Sequence, residues 1–81
     1  MLAIELAPKI RVNGVAPGLV LPPIGKDQSY LEKRKHTNPL ERYGDVSHVT
    51  DAISFLIENT FITGQVIYVD GGRHLKNAVY G

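Results

Sequence analysis

Two glycines early in the chain have a spacing that can serve phosphate chemistry. Gly14 and Gly18 follow an apolar stretch and are four residues apart, as in the Gly-x-x-x-Gly-x-Gly loops that cradle a dinucleotide pyrophosphate. Such a loop also needs a third glycine and a helix N-terminus facing the phosphates. Val20 occupies the third position and a long loop follows it. The spacing therefore does not predict a phosphate site.

The sequence lacks the residues needed for thiol chemistry and for a metal site. The chain has no cysteine, which removes disulfides, thiolate ligands and cysteine nucleophiles. The three histidines, His36, His48 and His74, lack the spacing of metal ligands. Each is expected to be a surface or packing residue. We therefore predict no metal site.

Charge and hydrophobicity limit the partners of the chain. Nine basic and eight acidic side chains give a net charge of +1, which provides no electrostatic argument for binding nucleic acid or an anionic membrane. The apolar runs are far shorter than the ~20 residues that span a bilayer. The first residues carry Glu5 and no basic leader, so they do not resemble a secretory signal. We expect a globular, cytoplasmic protein.

Positive charge is concentrated locally at Lys33, Arg34, Lys35 and His36. This cluster could meet an acidic carrier protein or a carboxylate substrate. It could also be the solvated face of a short helix, because charge runs on helices commonly face water. The sequence favours the solvated face.

The first half of the chain is expected to contain a helix end, a strand and a long loop. Residues 2–7 are typical of the last turns of a helix, and Pro8 ends them. Residues 10–16 read as a strand that stops at a Pro-Gly pair. The loop over residues 19–38 encloses a short charged helix at 29–35. A loop of this length in a compact domain is more often functional than idle.

The second half is expected to add a helix and a strand. Asp45 can cap a helix over residues 46–58, where apolar residues recur at helical spacing. Residues 65–69 form the second strand. The polar tail, residues 73–81, offers Leu75, Val79 and Tyr80 for docking.

This order of elements predicts an α/β fold that is incomplete as a domain. A strand, a helix and a second strand imply a parallel pair joined by a crossover. Parallel strands need cover on both faces. Two strands with one crossover helix and a long loop are too few to provide it, so the remaining sheet is expected elsewhere.

Four ordered blocks cover nearly the whole chain apart from the loop and the last residues, and any one of them alone would be a weak signal. The blocks are Leu2–Pro8, Ile10–Gly18, Pro39–Gly44 and Ile62–Gly72. Together they resemble the C-terminal segment of the short-chain dehydrogenase/reductase family, including members of the ketoacyl reductase and pteridine reductase types. The residues do not discriminate between these two types.

The resemblance implies a doubly wound, Rossmann-type parallel sheet, with residues 1–81 as the C-terminal portion of one dinucleotide-binding-type domain. Family members transfer hydride between NAD(H) or NADP(H) and a carbonyl, alcohol, C=N or C=C group. Their catalytic residues are a tyrosine with a lysine four residues later, a serine and an asparagine. At that distance, Tyr30, Tyr43 and Tyr68 are followed by arginine, serine and glycine. We expect no catalytic residue here and no turnover by this chain alone.

The resemblance implies one cofactor-binding element in the chain, which consists of Pro17, Gly18, Leu19 and Val20. In the family this turn lies against the nicotinamide ring, and the backbone amide at Val20 would bind the carboxamide. The reaction requires this because hydride transfer depends on fixed distance and orientation. A threonine that often assists is replaced by Pro22, so the contact relies on main chain alone or the loop is built differently.

Residues 19–38 correspond to the family's substrate loop. Four apolar or aromatic side chains could line a pocket for a small-molecule substrate: Leu21, Ile24, Tyr30 and Leu31. They could equally pack the loop onto the domain, and the sequence leaves both possibilities open.

Two polar residues are expected to be structural. Asn13 lies within the first predicted strand, where a buried amide needs hydrogen-bond partners. Arg42 resembles a family arginine that braces the fold.

Two hypotheses follow. In the first, the chain is part of an NAD(P)-dependent oxidoreductase, and its partner is the N-terminal remainder of the same domain, which carries the missing motifs. The family's subunit contacts then imply a homo-oligomer, a dimer or tetramer, with Ile67, Tyr68 and Val69 at an interface. In the alternative, the chain is a non-catalytic truncated fragment or structural remnant. The choice between NADP and NAD stays open.

Overall fold

A computed structural model describes residues 1–75, so Val79 and Tyr80 lie outside the described residues. The elements, in chain order, are α1 (Leu2–Leu6), β1 (Gly14–Pro17), α2 (Gln28–Arg34), a 3-10 turn (Lys35–Thr37), α3 (Val46–Glu58) and β2 (Val66–Val69). This is the predicted order. The two short helices and the second strand differ by one residue at one or both ends from their predicted bounds, and α3 has the predicted bounds.

The two strands form a parallel sheet, with Gly14 opposite Val66 and Pro17 opposite Val69. α3 is the crossover between them and contacts both strands. Within residues 1–75, β1 has β2 on one side and no strand on the other. The predicted α/β arrangement of two parallel strands, one crossover helix and a long loop is confirmed.

The first strand is shorter than predicted, because it begins at Gly14 and not at residue 10. Upstream of Gly14 the chain runs beside the loop that precedes β2, which is not itself a strand. Hydrogen bonds here go partly to side chains: the Val12 N–H donates to Thr63 Oγ1 over 3.0 Å. The Val12 carbonyl accepts from Gly64, whose φ of 75° is one that glycine adopts readily. The predicted strand is therefore wrong at residues 10–13, because the segment beside it within residues 1–75 is a loop and not a strand.

Asn13 joins this stretch to the same loop through its side-chain amide. Its Nδ2 donates to the Ile62 carbonyl and its Oδ1 accepts from the Gln65 N–H, each over 3.0 Å. One side chain therefore imitates the two backbone bonds of a strand neighbour. The structural role predicted for Asn13 is confirmed.

The start of α3 is closed by a capping box that uses a histidine. The Asp45 carboxylate accepts from the Ser47 N–H over 3.1 Å, and the Asp45 N–H donates to Nδ1 of His48 over 2.8 Å. The second bond is commonly made by Glu or Gln at this position. Hydrogen bonding from Ser47 lowers the pKa of Asp45 below its ordinary value. His48 is exposed, as predicted, and it also has this capping role, which its sequence spacing did not suggest.

The end of α3 is held by Arg11, which lies upstream of β1. Nη1 donates to the carbonyls of Leu56 at 2.8 Å, Asn59 at 3.0 Å and Ile62 at 3.3 Å, and Nη2 donates to Ile57 at 3.2 Å. The last carbonyls of a helix lack intrahelical partners and carry partial negative charge. One guanidinium therefore satisfies several of them and ties the helix to the start of the first strand.

The described residues enclose very little core. The buried side chains are Ala3, Leu31, Leu56 and Asn38. Large apolar side chains stay exposed on several elements, including Phe61 at 99% and Ile57 at 66%. Large clusters of exposed apolar residues mark surfaces that other protein covers. The two-stranded sheet is small and incomplete as a domain, as the element count predicted.

We expect Arg11→Ala to lower the free energy of unfolding by about 2 kcal/mol, because several helix-end carbonyls lose a charged donor. Urea unfolding followed by far-UV circular dichroism measures this change. Arg11→Lys should recover less than half of the loss, since one ammonium cannot reach all four carbonyls. Arg73→Ala, at an exposed position, is the charge-matched control. Equal losses for Arg11→Ala and Arg73→Ala would contradict the assignment.

Candidate functional site

The turn Pro17–Val20 leaves the carboxyl end of β1 and is fixed from both sides. The Gly18 N–H donates to the Val69 carbonyl over 3.0 Å, which extends the ladder one residue beyond the strand. The Leu19 carbonyl accepts from the Gly44 N–H over 2.7 Å. The N–H of Val20 has no acceptor within residues 1–75. The Leu19 N–H also has no acceptor there, so the turn presents two free backbone donors, at Leu19 and Val20.

Gly18 is required by the closeness of the second strand's end. A Cβ at this position would lie 2.7 Å from both Cα and Cβ of Asp70. Backbone atoms cannot give way as a flexible side chain can, so only glycine fits. The resemblance places Gly18 in the cofactor-binding turn, and the close contact seen here is with Asp70.

Asp70 organises the turn that follows β2. Its carboxylate, 9% exposed, accepts from the Gly72 N–H and the His74 N–H at 2.9 Å each, and it meets Nδ1 of His74 at 2.9 Å. Burial raises the pKa of Asp70, but the hydrogen bonds from His74 and Gly72 outweigh it and hold the pKa below its ordinary value. The His74 ring also stacks on Tyr68, with centroids 3.9 Å apart. The expectation that His74 is a packing residue is confirmed.

The segment 38–44 packs against Gly71 and Gly72, the two glycines that follow Asp70. The Leu40 N–H donates to the Gly71 carbonyl over 3.2 Å. Buried Asn38 donates to the Arg42 carbonyl over 2.9 Å, and its Oδ1 would lie 2.6 Å from a Cβ on Gly71. Gly71 also has a φ of 64°, which favours glycine. This segment in turn supplies the Gly44 N–H that holds Leu19.

Arg42 braces the segment through its main chain and not through its guanidinium. The carbonyl accepts from Asn38, while no hydrogen bond or ion pair of the guanidinium occurs among residues 1–75. The expected brace is thus present in the backbone only. The Arg42 side chain is exposed and faces a cavity instead.

A cavity of about 720 Å³ lies between this segment, the start of α3 and the end of β2. It touches the predicted cofactor turn only through Leu19. Its aromatic walls are Tyr43 and Tyr68, and its charged groups include Arg42, Asp51 and Asp70. Sequence reasoning did not find this cavity, because its walls come from four separate parts of the chain.

The predicted substrate residues are not brought together in the described structure. Leu21 and Ile24 are exposed, Ile24 completely, while Leu31 is fully buried. Tyr30 lines a second, smaller cavity beside α2. None of the four lines the larger cavity. Leu31 is 0% exposed and so has no accessible surface in this chain, and the substrate roles stay predictions.

Two kinds of feature are missing from residues 1–75. Groups of three or more histidine, cysteine, aspartate or glutamate side chains placed to hold a metal do not occur there. Every helix in this part of the chain is too short or too polar to cross a membrane.

Comparison with known proteins identifies the family. A family model described as "Enoyl-(Acyl carrier protein) reductase" matches residues 1–74. The chain is 48% identical over 67 residues to the 3-oxoacyl-[acyl-carrier-protein] reductase of Homo sapiens, covering 83% of this chain and 28% of that protein. It is 34% identical over 72 residues to the dihydromonapterin reductase of Citrobacter koseri, covering 89% and 30%.

Solved structures that are similar to this chain indicate the same family. The FolM alternative dihydrofolate reductase 1 from Brucella suis, in complex with NADP, superposes with a TM-score of 0.81 at 40% identity, covering 91% of this chain and 30% of that one. A short-chain dehydrogenase/reductase from Brucella melitensis superposes with a TM-score of 0.69 at 38% identity, covering 89% and 29%. This chain belongs to the short-chain dehydrogenase/reductase family. It spans about 30% of the length of the relatives it matches.

Membership of the short-chain dehydrogenase/reductase family confirms the resemblance drawn from the four blocks. It also confirms the fold class, which is part of a doubly wound, Rossmann-type parallel sheet. The position of residues 1–81 within the domain, and the roles of individual site residues, stay predictions.

We expect Gly18→Ala to lower the free energy of unfolding by about 1–3 kcal/mol, because the added methyl group meets the Asp70 backbone. Gly14→Ala is the matched control, since its Cβ would find Val66 at an ordinary 3.7 Å. Both substitutions restrict the unfolded chain alike, so their difference isolates the contact. Urea unfolding of the two variants measures it, and equal stabilities would argue against the close approach.

We expect Asp70→Asn to destabilise the chain by roughly 1–3 kcal/mol near neutral pH, because charged hydrogen bonds are lost. The pKa of Asp70 is lower folded than unfolded. Its stabilisation is therefore present above the unfolded value of about 3.9 and is lost as pH falls through the lower folded value. The gap between wild type and variant should narrow in acid. Urea midpoints across this range test it, and a gap that stays constant would be the contrary result.

Proposed function

We propose that this chain is the part of an NAD(P)-dependent oxidoreductase that supplies the nicotinamide-side turn and the substrate loop. The whole protein would transfer hydride to or from a carbonyl, alcohol or C=N substrate. One observation carries the proposal: Pro17–Val20 lies at the carboxyl end of a parallel strand, with the Val20 N–H free. Doubly wound folds bind their ligands outside these strand ends.

The residues of this turn suit a nicotinamide in two respects. The Val20 N–H can donate to the carboxamide, and Gly18 keeps the turn low against β2. Pro22 has neither a hydroxyl nor an N–H, so we propose that the contact rests on the main chain of the turn, with Val20 as its donor. The bound cofactor supplies the hydride, and the turn holds its ring at a fixed orientation. NADP is the favoured cofactor, supported by the NADP complex of the Brucella suis relative, with NAD as the alternative.

The substrate class stays at the level of a reducible carbonyl or C=N group. Relatives named as ketoacyl reductases and as dihydromonapterin reductases are both similar to this chain. The described residues do not favour one chemistry over the other. The exposed Leu21 and Ile24 are available to a substrate, and buried Leu31 would act by packing the loop.

The remainder of the same domain is the first partner we propose. The sheet has only two strands within residues 1–75, and parallel sheets in α/β proteins are covered on both faces, which one crossover helix cannot provide. Residues 1–81 would then be the C-terminal portion of a cytoplasmic dinucleotide-binding-type domain. Val66 and Tyr68 on β2 are exposed, which supports a homo-oligomer contact at β2.

The alternative is a fragment or remnant without activity. A chimaera separates the two. The segment of the Brucella suis relative that matches this chain is replaced by this chain, and NADPH binding and oxidation are measured by fluorescence. Binding with turnover supports the oxidoreductase, and a folded chimaera that binds no NADPH supports the remnant.

In this chimaera we expect Val20→Pro to raise the Kd for NADPH by about tenfold, since one hydrogen bond to the carboxamide is lost. Val20→Ala keeps the N–H and should stay within about twofold of wild type. Thermal unfolding of both variants shows whether the fold is kept. If Val20→Pro folds normally and binds NADPH unchanged, the turn does not hold the carboxamide.

A further inference from the structure

The second cavity, about 400 Å³, lies where the loop enters α2 and is lined by several charged side chains. Three of its lining residues are cations: Lys26, Lys33 and Arg34. The basic cluster identified in the sequence is thus divided by the fold. Lys33 and Arg34 face the cavity together with Lys26 from the preceding loop, whereas Lys35 does not line it.

The two groups of cations differ in their partners. Lys35 pairs with Glu32, and this pairing raises the pKa of Lys35. Lys26 and Lys33 make no ion pair within residues 1–75. Lys33 and Arg34 are exposed, as expected for a solvated helix face, and they make no ion pair within residues 1–75.

Arg34 is held in place and still has donors to offer. Its guanidinium lies over the Tyr30 ring, 3.8 Å from the centroid, and Nη1 donates to the Tyr30 carbonyl over 3.3 Å. A guanidinium carries five N–H donors, so most of them stay available. Stacking of this kind lowers the entropy lost when an anion binds.

The one carboxylate at this cavity is already engaged. Asp27 accepts from the Ser29 N–H over 2.9 Å and from the Ser29 hydroxyl, and it caps α2. These hydrogen bonds lower the pKa of Asp27, so it stays ionised as a cap. Three cations around one cavity repel one another, and an anion between them would remove that repulsion.

We propose that Lys26, Lys33 and Arg34 form a binding site for an anionic oxygen group, a carboxylate or a phosphate, at the outer end of the substrate. Tyr30 closes one side of the site. That the anion belongs to the substrate rests on the proposed function. The site itself rests only on the charges and contacts of the loop and α2.

The direct test is an NMR titration of isotope-labelled full-length chain with inorganic phosphate and, separately, with acetate, at low ionic strength. The same titrations in the chimaera cover the case in which the chain alone folds poorly. Shifts should concentrate on residues 25–34. We expect Lys33→Ala to weaken binding roughly two- to fivefold and the double variant with Lys26→Ala to weaken it further. Lys35→Ala removes the same charge nearby and should leave binding unchanged. Equal weakening by Lys33→Ala and Lys35→Ala would show general screening and overturn the site.

The source of the anion is tested in the chimaera with two carbonyl substrates that differ only in a terminal carboxylate. Lys33→Ala should raise KM for the charged substrate and leave kcat, and KM for the neutral one, unchanged. A change in the Kd for NADPH instead would mean that the cofactor phosphate is the anion and would overturn the substrate assignment. Failure of the chimaera to bind NADPH counts against the proposed function, whereas the phosphate and acetate titrations still decide the anion site.

Discussion

Where the two strands end, their backbones come closer than any side chain would allow, and this contact positions the rest of the site. Gly18 lies directly against Asp70, so the first turn is pressed onto the second. Asp70 then uses its carboxylate to fold the residues that follow it. The segment 38–44 is seated on that fold and returns a hydrogen bond to Leu19. The geometry of the candidate cofactor turn is therefore set by contacts far apart in sequence.

Sequence reasoning recovered the elements well because their signals are local. The capping aspartate and the helical spacing placed α3, and the Pro-Gly pair ended the first strand correctly. The start of that strand was wrong because alternation reports extended backbone and not the presence of a partner. Thr63 and Asn13 make the connections there through side chains.

The site was less predictable for the same reason. Arg11 binds carbonyls more than 40 residues further along the chain, and Asn38 lies against Gly71. His48 stands where a capping box commonly has Glu or Gln. Family resemblance predicts residues 19–38 as a substrate loop, but whether each side chain is buried depends on packing that periodicity does not encode. Leu31 and Ile24 lie seven residues apart and have opposite exposures.

The strand–helix–strand unit is connected at two places. Arg11 ties the end of α3 to the start of the first strand, and Gly18 joins the far ends of the two strands. These contacts connect the strand–helix–strand unit at positions far apart in the sequence, so a change at one of them is transmitted to the turn that carries Val20. The loop between β1 and α3 lies outside this set of contacts apart from the segment 38–44.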